Sequence, residues 1–239
     1  MERNRGVSAA GNAGLDFGSS RFVAFLDADD VWTPEKLALQ LAVFQNGGVR
    51  TGVVHSGYFL IDENGAPIRG QFVHAPVFRG DILDRILFDD YVLSGSASSV
   101  LVRREVLEKA GEFDESLFHA EDWDLWARLA AISHVDFTPE PVVGIRVHRK
   151  SAQRRAQPDR EIAFFFQRLR AYNRWEQLYR NHPEFGARLR NQVYELILGD
   201  RLRGFMRAER LFSRLKSSDL MLARTLFPNR PDFWIGIFA

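Results

Sequence analysis

Apolar and polar positions alternate along this chain in runs of two kinds, short ones bounded by turn residues and longer ones with helical period. Residues 6–18 are rich in small side chains (Ala9, Ala10, Ala13) with Val7, Leu15 and Phe17 among them, which predicts a helix packed closely on a sheet and ended near Gly18. Residues 21–26 form a short, mostly apolar run, the pattern of a buried strand in a parallel sheet. It stops at Asp27-Ala28-Asp29-Asp30. Thr33-Pro34-Glu35-Lys36 predicts a helix start with Thr33 as the N-cap, and Gly47-Gly48 stops that helix after Asn46. Residues 53–61 predict a strand, 62–65 a turn and 67–73 the second arm of a hairpin. Residues 81–88 predict a helix, 98–102 a strand, and 104–110 a helix that Gly111 terminates. Residues 121–131 form an amphipathic helix, and 142–147 a last strand.

Beyond Arg149 the texture changes. Residues 150–158 are polar and read as a linker; 159–239 are helical by period and basic, without repeats. The expected organisation is an α/β domain over 1–149 followed by a helical tail. Charge sharpens that division. Residues 1–149 carry 14 Lys/Arg against 22 Asp/Glu, and residues 150–239 carry 18 against 9, although the net charge of the 239 residues is only +1. A basic region interleaved with aromatics such as Phe164, Tyr172, Trp175 and Phe205 suits a solvated face or contact with an anionic membrane surface, and no nucleic-acid partner is expected. No apolar run approaches the roughly 18–20 residues that span a bilayer, and residues 1–14 carry no apolar signal segment. The absence of cysteine excludes disulfide scaffolds, thiolate metal sites and thiol nucleophiles. The expected location is cytoplasmic, with peripheral attachment at the inner face of a membrane open through the tail.

Three clusters carry candidate chemistry. Three carboxylates in the four residues 27–30 follow a strand directly, at its carboxyl end, where open α/β sheets bind ligands. Carboxylates this close repel one another, and a hard divalent ion such as Mg²⁺ or Mn²⁺, bridged to a diphosphate, would hold them. The plainer alternative is an acidic turn capping the next helix. The second cluster, Glu121-Asp122-Trp123-Asp124-Leu125-Trp126, opens an amphipathic helix. Acidic residues there are stabilising on dipole grounds alone. With Trp123 and Trp126 beside it, a carboxylate at this point can also serve as general base to a sugar hydroxyl. The third, Gly144-Ile145-Arg146-Val147-His148-Arg149, ends a strand with a histidine that suits a metal or a phosphate, and with arginines that could offset a leaving diphosphate.

Four segments taken together, Asn4-Arg5-Gly6-Val7-Ser8-Ala9-Ala10-Gly11-Asn12-Ala13-Gly14, Phe25-Leu26-Asp27-Ala28-Asp29-Asp30, Gly111-Glu112-Phe113-Asp114-Glu115 and Glu121-Asp122-Trp123-Asp124-Leu125, resemble family 2 glycosyltransferases of the GT-A fold. The resemblance spans residues 4–151, since His148 and Ser151 resemble the family's closing Arg-x-His-x-x-Ser element. It implies inverting transfer of a sugar from a nucleotide-diphosphate donor (UDP-, GDP- or dTDP-linked), with Mg²⁺ or Mn²⁺, to a glycan or lipid-linked acceptor in polysaccharide or glycolipid assembly. Residue by residue, it implies donor contacts at Asn4, Arg5, Gly6, Asn12, Asp27, Ala28 and Asp29, and metal ligation by Asp29, Asp27 and His148. Asp122 would be the catalytic base, and Glu121, Trp123 and Trp126 would meet the acceptor.

Two departures stand out. Gly11 occupies a place where the family often carries Arg, and nothing here matches the strand–helix–strand unit that opens the family's fold. The domain is therefore expected to be N-terminally incomplete. The rival reading is an inactive or truncated relative with a binding or assembly role. A metal-dependent phosphotransferase is disfavoured because Val31 stands where Asp-x-Asp-x-Thr needs its Thr.

Overall fold

The computed structural model describes residues 5–70, 74–89, 92–93, 96–117 and 120–148, with Glu184 and Ala187 beyond them. The chain divides into two units, Met1–Arg155 and Ala156–Ala239. The basic helical region expected over 159–239, Asn4 and Arg149 lie outside the described residues. Among those residues no helix is long and apolar enough to cross a membrane.

Unit one is built on a mixed five-stranded sheet. In chain order its elements are α1 (Val7–Phe17), β1 (Phe22–Ala24), β2 (Val31–Trp32), α2 (Lys36–Asn46), β3 (Thr51–Ile61), α3 (Leu83–Phe88), a 3₁₀ turn (Ala97–Ser99), β4 (Leu101–Arg103), α4 (Arg104–Ala110), α5 (Glu121–Ile132) and β5 (His134–Arg146). The strands lie in the order β1-β4-β3-β5-β2. Only β3 and β5 run parallel; β1–β4, β3–β4 and β2–β5 are antiparallel. Strand β3 is buried along its first seven residues, as a central strand should be. Phe44 of α2, Val54 of β3 and Leu101 of β4 form one core cluster, with Phe22, Ala24, Leu41 and Val43 packed around it.

Three expectations need correction. The 21–26 run forms only the three-residue β1, antiparallel to β4 with Phe22 opposite Arg103; an apolar run reports burial and carries no strand direction. Thr33 does not cap α2. Its N–H bonds the Val142 carbonyl at 3.0 Å, continuing the β2–β5 pairing, and its buried Oγ1 has no hydrogen-bond partner. The helix begins at Lys36 without a side-chain cap. Finally, β5 is twice the length expected, because Pro139-Glu140-Pro141 reads as a break. Here it is a bulge: Ser56 pairs Thr138 while Gly57 pairs Pro141. Gly57 is required opposite it, since a Cβ there would sit 2.7 Å from the His74 carbonyl and 3.0 Å from that of Pro139. Among the described residues the arm after Gly65 pairs through the bridges Ile61–Pro67 and Tyr58–His74. The other helices fall where the pattern puts them, and Gly111 at φ 83° closes α4 in a conformation that favours glycine.

Candidate donor and base site

The acidic turn begins two residues past β1 and closes with an Asp30 N–H to Asp27 carbonyl bond of 3.1 Å. Its three carboxylates have different surroundings. Asp30 is a structural member: its Oδ2 accepts from Ser98 Oγ at 2.7 Å and lies 2.9 Å from Ser96 Oγ, and its Oδ1 accepts from the Arg146 amide at 3.1 Å. Asp27 is half-buried; its amide donates to Ser98 Oγ, and its Oδ2 lies 2.9 Å from Ser96 Oγ. Ser96 thus has one hydroxyl proton between two carboxylates, Asp27 and Asp30. Burial pushes the Asp27 pKa up; the Ser96 bond opposes this, and the charges of Asp30, Asp29 and Asp122 add to the rise. Asp29 is the exposed member, its Oδ2 3.0 Å from His148 Nε2. Ala28 is exposed at the tip.

Strand β5 delivers His148 to Asp29, because Val31 and Trp32 pair with Gly144 and Val143 and so bring the two chain segments side by side. Arg146 is not directed at a diphosphate. Its Nε donates to the Asp29 carbonyl at 2.8 Å, and its Nη1 to the carbonyls of Asp62 and Glu63 at 2.9 Å each. It clamps the acidic turn to the hairpin turn.

Helix α5 supplies the other carboxylate. Ala120, buried and left-handed at φ 59°, turns the chain into its first turn. Asp122 follows with its Oδ1 accepting its neighbour's amide, from Trp123, at 2.7 Å. Burial pushes the Asp122 pKa up against that bond, and its charge reaches Asp27. The fold therefore brings the two acidic motifs, far apart in sequence, into one electrostatic neighbourhood. Two residues on, Asp124 forms a fully buried pair with Arg128 at 2.7 Å. The same guanidinium bonds the carbonyls of Ala110, Gly111 and Glu112, which roots α5 against the end of α4.

The remaining expected site residues have structural partners. The Asn12 amide is engaged twice with the Phe113 backbone, donating to its carbonyl at 3.0 Å and accepting from its N–H at 2.9 Å. Arg5 forms an exposed pair with Glu115 at 2.8 Å, and Gly6, at φ 98°, precedes α1. Gly11 presses on Phe113, whose ring atoms would lie 3.0 Å from any Cβ. Phe113 packs edge-on against Phe25, and Phe25 against Trp126, which is 6% exposed. Trp126 is thus a core residue. Trp123 is partly exposed and donates Nε1 to the Ile86 carbonyl at 2.9 Å; Glu121 is partly exposed beside it.

The serines at 96 and 98 are the functional residues that sequence reasoning passed over. Their only signal is the hydroxyl-rich run Ser94-Gly95-Ser96-Ala97-Ser98-Ser99, whose last two residues the pattern assigns to the 98–102 strand, whereas the structure makes Ala97–Ser99 a 3₁₀ turn and begins the strand at Leu101.

Among the described residues no cluster of three or more His, Asp or Glu stands ready to enclose a metal. Of the expected ligands only Asp29 and His148 are in contact, at 3.0 Å, and an ion held by those two would have to draw its further oxygens from elsewhere, such as phosphates.

Comparison with known proteins gives the family and the fold. A family described as "Glycosyltransferase like family 2" matches residues 2–178. An uncharacterized glycosyltransferase of Nostoc sp. is 36% identical over 133 residues, 53% of this chain and 38% of its own length. One of Rickettsia typhi is 28% identical over 148 residues, 62% and 46% respectively. The putative teichuronic acid biosynthesis glycosyltransferase TuaG of Bacillus subtilis is 37% identical over 76 residues, 32% and 29%. The chain spans less than half the length of these curated relatives. Among solved structures, S. aureus TarS 1-349 in complex with UDP superposes with a TM-score of 0.51 at 14% identity, covering 92% of this chain and 58% of that one. This is the GT-A fold, and with a family match over most of its length the chain belongs to the family 2-like glycosyltransferases.

Proposed function

We propose that this domain transfers a sugar from a nucleotide-diphosphate donor to an acceptor hydroxyl, with inversion and with a divalent ion. The observation that carries this reading is the contact of Asp29 with His148 at 3.0 Å beside an Asp27 that feels the charge of Asp122. Asp27 and Asp29 belong to the donor side, and Asp29 with His148 would hold Mg²⁺ or Mn²⁺. When bound, that ion offsets charge on the departing diphosphate. Asp122 accepts the proton of the acceptor hydroxyl while the acceptor oxygen bonds to the anomeric carbon. The bond from that carbon to the diphosphate oxygen breaks in the same displacement, and its electron pair leaves on the diphosphate. Burial raises the basicity of Asp122, which suits it to this task in its ionised form. Glu121 and Trp123, at the mouth of α5, are the acceptor-side residues of the proposal. Trp126 and Asn12 support it from the core.

UDP is the first donor nucleotide to try, because the TarS structure was obtained with it; GDP and dTDP follow. A glycan or lipid-linked acceptor in surface-polysaccharide assembly is favoured by the likeness to the teichuronic acid enzyme. The basic region beyond residue 159 would rest on an anionic membrane from the cytoplasmic side. Calorimetry with UDP and GDP, with and without Mn²⁺, tests the donor site. Metal-dependent binding abolished by Asp29→Ala supports the proposal. Binding that ignores both the metal and that substitution refutes it, and a folded chain that binds neither nucleotide points to a binding or assembly role. For the tail, release from anionic vesicles by salt is expected; indifference to anionic lipid removes that part.

A further inference from the structure

Beneath the acidic turn lies a second constellation that the transfer chemistry leaves unused. Helix α2 buries Lys36 and Gln40 completely. Lysine is almost never fully buried unless paired, and among the described ion pairs none involves Lys36. Its ammonium donates instead to Gln40 Oε1 at 2.7 Å and stands 4.2 Å from the centre of the Trp32 ring. Each of those partners passes a hydrogen bond onward to the same place. Trp32 Nε1 donates to the Ser98 carbonyl at 2.8 Å. Gln40 Nε2 donates to the Ser99 carbonyl at 2.8 Å and to that of Val54 at 3.0 Å. The Ala97–Ser99 turn is thus held from one side by Trp32 and Gln40. On the other side the hydroxyls of Ser96 and Ser98 hold Asp27 and Asp30.

We propose that Lys36 is a positioning residue for the donor site: by fixing Trp32 and the Gln40 amide it sets the serine turn, and through that turn the placement of Asp27 and Asp30. This rests on reading the 27–30 turn as the donor side. The Gln40 amide explains why a cation is used. Its Nε2 must face two backbone carbonyls, so its Oε1 must face a donor, and a flipped amide would oppose oxygen to oxygen at both Ser99 and Val54. An apolar side chain at position 36 would fill the space without specifying that orientation. The arrangement opposes stability, since burial lowers the Lys36 pKa to about 7. A costly buried group kept beside a site fits a trade of stability for geometry.

The test is Lys36→Met in the full chain, read by amide hydrogen exchange, melting temperature and UDP·Mn²⁺ calorimetry. Two amides report the turn directly: that of Asp27, bonded to Ser98 Oγ, and that of Arg146, bonded to Asp30 Oδ1. Both are expected to exchange about tenfold faster, the scale of one or two lost hydrogen bonds, while amides of α5 and of the β3–β5 ladder before Arg146 keep their protection. The melting temperature should hold or rise, and UDP·Mn²⁺ should bind about tenfold more weakly. A merely structural role would slow or speed exchange everywhere together. Should Lys36→Met not fold, Trp32→Phe, which keeps an aromatic ring at that position but removes the Nε1–H donor with part of the indole, must show the same two-amide signature. Unchanged exchange at Asp27 and Arg146, or a uniform change across the sheet, overturns the proposal. If those amides respond while the unaltered chain binds no UDP·Mn²⁺, the positioning stands and the donor reading fails.

Discussion

Arg128→Met is the substitution whose cost the structure defines best. The wild-type guanidinium is fully buried and its hydrogen bonds among the described residues include two to Asp124 Oδ2, at 2.7 and 3.0 Å, and one each to the carbonyls of Ala110, Gly111 and Glu112. Met fills much of the volume and satisfies none of them. The dominant loss is a buried carboxylate left without its cation, which costs about 3–5 kcal/mol. The three carbonyls add to it, less whatever water recovers for them. Taking about 4 kcal/mol, and about 2–4 °C per kcal/mol for a domain of this size, the melting temperature should fall by about 8–16 °C. Urea unfolding followed by tryptophan fluorescence measures this, with the slope checked against wild type. Asp124→Leu combined with Arg128→Met should recover at least half of the loss, since an apolar pair leaves no buried charge. A single variant that loses less than about 1 kcal/mol, or a double variant as unstable as the single, would refute the assignment of this pair as the root of α5.

Asp122→Asn should lower turnover by about 10²–10⁴-fold with nucleotide binding retained. It should also raise stability at neutral pH, because a carboxyl whose folded pKa is raised opposes folding increasingly as pH climbs through that pKa. Turnover within tenfold of wild type, alongside unchanged stability, would remove Asp122 from the role of base. His55 is fully buried with neither ring nitrogen bonded, and burial brings its pKa to about 3 from 6.5. The unfolded chain takes up that proton first, so stability drains away as pH falls from about 6.5 towards about 3; His55→Leu should shift the acid midpoint downwards and gain about 1–2 kcal/mol at neutral pH. An unmoved acid midpoint would count against this. Gly11→Val should cost about 1–3 kcal/mol by driving a side chain into Phe113, and a thermal melt equal to wild type would show that the ring yields freely.

What was legible in the sequence was local. Carboxylates at a strand end, Gly111 after a helix and acids opening an amphipathic segment each declare themselves within a few residues; the structure puts Asp29 against His148, and the charge of Asp122 reaches Asp27. Long-range use of a polar side chain was not legible. Asn12 looks the same in a sequence whether its amide meets a nucleotide or the Phe113 backbone. Trp126 reads as a sugar platform until Phe25 and Phe113 are found against it. The serine turn was hidden because its bonds reach Asp27 and Asp30 across some 70 residues of chain. Lys36 looked like an ordinary first-turn residue, and only the fold shows that no water reaches it.

The clamp made by Arg146 bears on how this domain can be engineered. Exposed hairpin turns are where tags, insertions and permuted termini are usually tolerated, and residues 62–65 have that look. Yet the carbonyls of Asp62 and Glu63 are two of the three that hold the Arg146 side chain, and the third is that of Asp29. A rebuilt hairpin would retune the acidic turn without touching it. A library confined to 62–66 is therefore expected to shift the acidic turn from outside it, and a fusion joint placed there risks displacing that turn.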